Sequence, residues 1–304
     1  MTDAPSLPPF HSVGDGGSWL ALDGRDPRLA AALDAAGTPP ELREWLLTPT
    51  HSVRRKELAS GIVISLARYA VGRSEAEDRT VCAVLWLEPQ RLVSIDYGAI
   101  PGTTREAGRG GGEVRNAGPW GVVAAQLAEM AEDLVDDLTA LSPLLDELED
   151  RTAERADDMP VRELSALRQR LIRVRRHAAP FGLLTRALAA DRRLAADPET
   201  QAALRDVADS VERSQAALGL DFERSEILND QIQAELADRM NRATYRLGIV
   251  ATVFLPLGFL TGLLGINVAG IPGDHDPYAF WLVCGILVLV AGLWYVAITR
   301  GGRR

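Results

Sequence analysis

Charged residues are spread along the chain as far as Arg246 and then vanish for two long stretches, residues 247–265 and 279–298. A bilayer core takes about 20 apolar residues at about 1.5 Å of rise each, so either stretch has the length of a membrane span. Core helices of soluble proteins rarely stay uncharged on every face for so long. Two C-terminal transmembrane helices are therefore expected, over 247–265 and 279–298. Upstream the pattern is short-ranged. Residues 18–22, 61–66, 81–87 and 91–97 are apolar and β-branched enough for strands, with Glu88-Pro89-Gln90 as a turn between the last two. Pro40–Leu47 reads as a short amphipathic helix opened by Pro and Glu.

From Pro119 onward the period becomes helical. Residues 120–155 predict one helix, or two if Pro143 breaks it. The polar face is acidic: Glu129, Glu132, Asp133, Asp136, Asp137, Asp146, Glu147, Glu149 and Asp150. The next predicted helix, from Val161, carries Arg168, Arg170, Arg173, Arg175 and Arg176, and the two charged faces are expected to complement each other. Beyond it Leu204, Val207, Val211, Leu218, Leu228, Ile232, Leu236 and Met240 recur at helical spacing, with no proline between Pro198 and Pro256. A helix from Glu199 through the first span would be about 100 Å long.

The expected fold class is thus an α+β cytoplasmic head, a long helical stalk and two C-terminal transmembrane helices. Its segments are a flexible N-terminus (1–17), an αβ domain (18–118), a helical domain with the stalk (119–246), the first span (247–265), an outer loop (266–278), the second span (279–298) and a basic tail (299–304).

Charge sets the expected topology. Residues 1–17 are rich in Pro, Ser and Gly and lack the flanked apolar core of a signal peptide. Arg239, Arg242 and Arg246 precede the first span, and Arg300, Arg303 and Arg304 follow the second. The loop between the spans has Asp274 and Asp276 but no Lys or Arg. That is the positive-inside pattern, with both termini cytoplasmic. A formal net charge of -9, with no aromatic residues among the arginines, argues against a nucleic-acid partner. Cys82 and Cys284 form neither a disulfide framework nor a zinc-ligand spacing, and His11, His51, His177 and His275 are far apart. The Gly-rich run 102–112 lacks the Gly-Lys-Ser/Thr ending of a phosphate cradle. No set of nucleophile, base and orienting group is visible, so neither an enzyme nor a cofactor is expected.

Two spans cannot enclose a water-filled path, so transport would need several copies around one axis. Gly258, Gly262 and Gly265 form a small-residue row that lets helices approach closely in lipid, as in simple dimerisation too. Pro256 removes a backbone donor and should bend the helix or free a carbonyl.

After the first span the chain reads Gly265-Ile266-Asn267-Val268-Ala269-Gly270-Ile271-Pro272-Gly273. This resembles the Gly-Met-Asn signature of the CorA metal-ion transporter superfamily, which lies directly after the first of two C-terminal spans; Ile266 stands where Met is usual. The longer run is similar to that of the ZntB-type zinc-transporter branch, with Ala269 where Gly is more usual. Asn241-x-x-Thr244 and Thr252-x-Phe254-x-Pro256-Leu257 resemble the family's pore helix, and residues 18–23 and 171–180 resemble segments of its head. The likeness covers most of the chain. It implies a homopentamer in membrane lipid with a funnel-shaped cytoplasmic part. The first span would line a central pore, and the selectivity loop Gly265, Ile266 and Asn267 would ring its outer mouth. The matching pore line is Asn241, Thr244, Leu247 or Gly248, Ala251, Leu255, Gly258, Gly262 and Gly265. Steps of three and four put these residues on one helical face independently of any family.

That face has no carboxylate, imidazole or thiolate. A bare divalent ion would meet a prohibitive desolvation cost, so the ion is expected to pass partly hydrated. The Asn267 side chain and the backbone carbonyls of Gly265 and Ile266 can accept hydrogen bonds from its water. Taken without the family, Asn267 fits a left-handed helix cap better. Asp274, His275 and Asp276 would form an outer-mouth cation collar if repeated around a ring, or else a plain solvated loop. His275 suits zinc better than magnesium. The expected cargo is Zn2+. A CorA-type Mg2+ or Co2+ channel and a non-transporting, membrane-anchored coiled-coil scaffold are the competing readings. Proton coupling is implied by the branch, yet the spans hold no titratable relay. Coupling would have to run through water or through groups outside the bilayer.

Overall fold

Strands β1 (His11–Val13), β2 (Gly17–Asp23), β3 (Arg54–Glu57), β4 (Ile62–Ala70), β5 (Arg79–Glu88) and β6 (Arg91–Asp96) form one sheet in the order β1-β2-β6-β5-β4-β3. The structure, a computed structural model, describes residues 11–14, 16–48, 50–98, 118–154, 160–194, 197–264 and 278–301. β2 and β6 run parallel and the other neighbours antiparallel. The β5–β6 hairpin closes at Glu88 opposite Arg91, around the expected Pro89-Gln90 turn.

Alternation along the strands sends Leu20, Leu22, Val63, Val84, Trp86, Val93 and Ile95 to one face. There they pack under Leu29 and Leu33 of α1 (Leu29–Ala35) and Leu42 and Leu46 of α2 (Pro40–Leu47). The other face is covered by α3 (Gly118–Glu154) and α4 (Val161–Ala189). A sheet buried on both sides needs near-continuous apolar strands, and β4 to β6 have them. β4 runs past the apolar stretch because Arg68 is neutralised by Asp133 and Asp137 of α3, at 2.8 and 2.9 Å. β1, β3 and α1 were not legible beforehand. β3 is four charged residues on the sheet edge, a composition that suits an edge rather than advertises a strand.

α3 is one helix of 37 residues despite Pro143. The carbonyl that Pro143 leaves without a donor belongs to Thr139, and both residues are exposed, so water can take the place of the missing N–H. Among the described ion pairs, none joins an α3 acid to an α4 arginine. Asp146 and Glu149 bind Arg224, at 2.6 and 2.5 Å, and Arg170 binds Asp78 at 2.9 Å. The described α3–α4 bridge, Arg151 to Glu163, has the signs reversed. Met130 and Leu134 of α3 lie instead beside Val174, Ala178 and Phe181 of α4, so the faces that meet are apolar.

α5 (Pro198–Leu264) is a single helix of 67 residues, and α6 (Ala279–Gly301) follows. The chain divides into two units, Met1–Asn229 and Asp230–Arg304, with the division falling inside α5. Among the described residues no helix is long and apolar enough to cross a membrane. The two expected spans therefore stand on the sequence pattern.

Candidate ion-conducting face

Asn241, Thr244, Leu247, Gly248, Ala251, Leu255, Gly258 and Gly262 are all helical and all exposed. At 3.6 residues per turn they fall within an arc of about 120°. The structure thus brings eight of the expected pore residues onto one face of α5. Gly265, Ile266 and Asn267, with Asp274, His275 and Asp276, lie outside the described residues.

Two hydroxyls that flank the face bond back to their own helix. The Thr252 hydroxyl donates to the Gly248 carbonyl at 2.7 Å. The Thr261 hydroxyl donates to the carbonyls of Leu257 and Gly258, at 3.0 and 3.1 Å. Pro256 leaves the Thr252 carbonyl without its helical donor. A Cβ added at Gly248, Gly258 or Gly262 would meet nothing within 4 Å. Glycine inside a helix costs about 1 kcal/mol relative to alanine, and nothing among the described residues requires it here.

The basic residues occupy the other side. Arg239, Arg242 and Arg246 fall within an arc of about 60°, centred roughly opposite the uncharged face. Arg239 binds Glu235 at 3.1 Å, and Arg242 binds Glu235 at 3.3 Å and Asp238 at 3.2 Å. Large apolar side chains on and beside the uncharged face are uncovered: Leu247 is 70% exposed, Phe254 68% and Leu255 76%.

The head carries two polar clusters that the sequence reading did not single out. Asp137 is buried, accepts from the Val71 amide at 3.0 Å and pairs with Arg68. Burial raises its pKa to about 6, against the lowering effect of Arg68. Asp78 accepts from the Tyr69 hydroxyl at 2.6 Å, the Gly72 amide at 2.7 Å and both ends of the Arg170 guanidinium. Four hydrogen bonds from these three residues keep its carboxyl below the usual range in spite of burial. Together they pin the segment after β4 to α3 and α4. One signal was present: Leu134, Asp137 and Leu141 keep helical spacing, so Asp137 interrupts an apolar stripe. Among the described residues no group of three or more His, Cys, Asp or Glu side chains could hold a metal ion.

A family model described as CorA-like Mg2+ transporter protein matches residues 14–300. The chain is 30% identical over 290 residues to the zinc transport protein ZntB of Yersinia enterocolitica serotype O:8 / biotype 1B, covering 91% of this chain and 86% of that one. Among solved structures it is similar to the full-length CmaX protein, with a TM-score of 0.73 and 25% identity over 98% of this chain and 90% of that one. It also shares the fold of the CorA magnesium transporter from Methanocaldococcus jannaschii, with a TM-score of 0.77 and 19% identity over 97% and 94%.

Proposed function

This chain belongs to the CorA-like Mg2+ transporter family, and from that membership we propose that it carries divalent cations, Zn2+ first among them, through a central pore of a homopentamer in the cytoplasmic membrane. The family is one of transporters rather than enzymes. The observation that carries the reading is the uncharged, small-residue face of α5, which leads straight into Gly265-Ile266-Asn267. Cationic side chains lie opposite that face, so it presents no positive charge to a passing ion.

The first span, 247–265, lines the pore and the second, 279–298, packs outside it. Glycines on the face, flanked by hydroxyls bonded to their own helix, give a wall that binds water weakly. A hydrated ion moves along such a wall without being trapped. Asn267 rings the outer mouth and accepts hydrogen bonds from metal-bound water. Asp274, His275 and Asp276 raise the local cation concentration there. The pore face offers no titratable group between Asn241 and Gly265, so any proton coupling runs through water or through groups outside the bilayer.

The test is zinc uptake into proteoliposomes holding the full chain, with and without a pH gradient. Zinc-dependent flux is expected; its absence, with the protein inserted, leaves a membrane-anchored scaffold. Mg2+ is the second reading, favoured by the family's own description. Uptake of Mg2+ in preference to Zn2+ in the same vesicles would establish it.

A further inference from the structure

Arg246 is the last charged residue before the uncharged run that begins at Leu247, and it is exposed. The two arginines before it are each held by an acid of their own helix: Arg239 by Glu235, and Arg242 by Glu235 and Asp238. Arg246 has no such neighbour. The positions three and four residues away are Arg242, Ala243, Ile249 and Val250. No ion pair is found for it among the described residues. It also lies roughly opposite the arc of Asn241, Thr244, Gly248 and Ala251, so its side chain leaves α5 away from the proposed pore.

A guanidinium at the edge of an apolar span extends its head toward the interface and needs an anion there. Its planar fork matches the oxygens of a phosphate, in two parallel hydrogen bonds. We propose that Arg246 is a docking point for the phosphate of anionic phospholipid headgroups in the cytoplasmic leaflet, on the lipid-facing side of the first span. The inference rests on the membrane reading above. The pore needs no contribution from it. The lipid contact fixes the depth of α5 and favours an anionic annulus around the protein.

Spin-labelled lipids test this directly. The full chain is reconstituted in phosphatidylcholine, and the fraction of motionally restricted label is measured for phosphatidylglycerol and for phosphatidylcholine. The parent is expected to prefer phosphatidylglycerol. Arg246→Gln should lower that preference about fivefold at low ionic strength, the effect of about 1 kcal/mol for one basic residue at an anionic surface. Arg246→Lys should keep most of it. Arg43→Gln, at an exposed pair with Asp34 in the head, should leave it unchanged. Added inorganic phosphate, at constant ionic strength, should not compete. A restricted population with the same lipid preference in parent and Arg246→Gln overturns the lipid site and leaves the membrane reading intact. Loss of preference on adding phosphate reassigns the site to the free anion. Absence of any restricted lipid, for either label, overturns the membrane reading and the site with it.

Discussion

Asp137 shows what one buried carboxylate does to a folded head. Its pKa near 6 exceeds the ordinary 3.8, so between those values the folded chain holds a proton that the unfolded chain gives up. The stability this contributes is full below about pH 4 and is lost as pH rises through 6. Asp137→Asn removes the dependence. From pH 4 to pH 7 the parent should lose about 2–3 kcal/mol relative to the variant, read from denaturant unfolding at each pH. A constant difference across that range would contradict the assignment. The same residue marks a limit of reading sequence. Its place on the acidic face of a helix suggested pairing with the arginines of the next helix, and the partners that make it special, Arg68 and the Val71 amide, are more than 60 residues away. Pairings at that range leave no trace in local periodicity. The face shared by the eight described residues of the expected pore line was legible because one helix carries them, so spacing alone sets it.

At the scale of elements, strand positions followed apolar runs and strand lengths did not. β4 outran its expected segment where Arg68 found partners in α3, and β5 runs on to a charged residue at each end. Close approach adds a constraint that no pattern of apolar residues records. A Cβ on Gly61 would stand 2.1 Å from the Leu87 carbonyl oxygen, at the start of β4. Gly61→Ala should cost about 1–3 kcal/mol, the range for forcing atoms into a packed site, as a lowered unfolding midpoint. The glycines of α5 are the opposite case. Space is open around Gly258 and Gly262, so a chain acting alone would gain from alanine at both, by about 1 kcal/mol each. If they line a pore, Gly258→Ala with Gly262→Ala keeps the oligomer and lowers zinc flux. If they form a packing seam between copies, the oligomer dissociates. Flux and native mass measured on one preparation separate the three outcomes, and reduced flux in an intact oligomer is expected.

For the whole molecule the decisive quantity is the number of copies. The uncharged face of α5 and the bulky apolar residues beside it, with Phe254 68% and Val250 52% exposed, are not covered by the described residues of one chain. Lipid covers leucine and phenylalanine well. It does not suit Asn241 and Thr244, whose side chains have polar groups to hydrate, or a row of glycines that leaves helix backbone bare. A ring of copies resolves both demands, turning the polar and small residues inward to water and the bulky ones outward to lipid. A dimer would bury the small residues against each other and leave no path. Five copies are expected from the family resemblance. Native mass spectrometry in mild detergent should give a dominant species close to five times 32.9 kDa. A dominant monomer or dimer would remove the pore. The Asn267 experiment distinguishes the ring from a mere bundle of five. In a ring, Asn267→Ala strips acceptors from the mouth and nearly abolishes zinc flux in an intact pentamer, and Asn267→Gly does the same. In a bundle whose Asn267 only caps a helix in the left-handed conformation, glycine adopts that conformation at no steric cost. Parent-like flux from Asn267→Gly therefore assigns the side chain to the cap, and loss of flux in both variants assigns it to the ion.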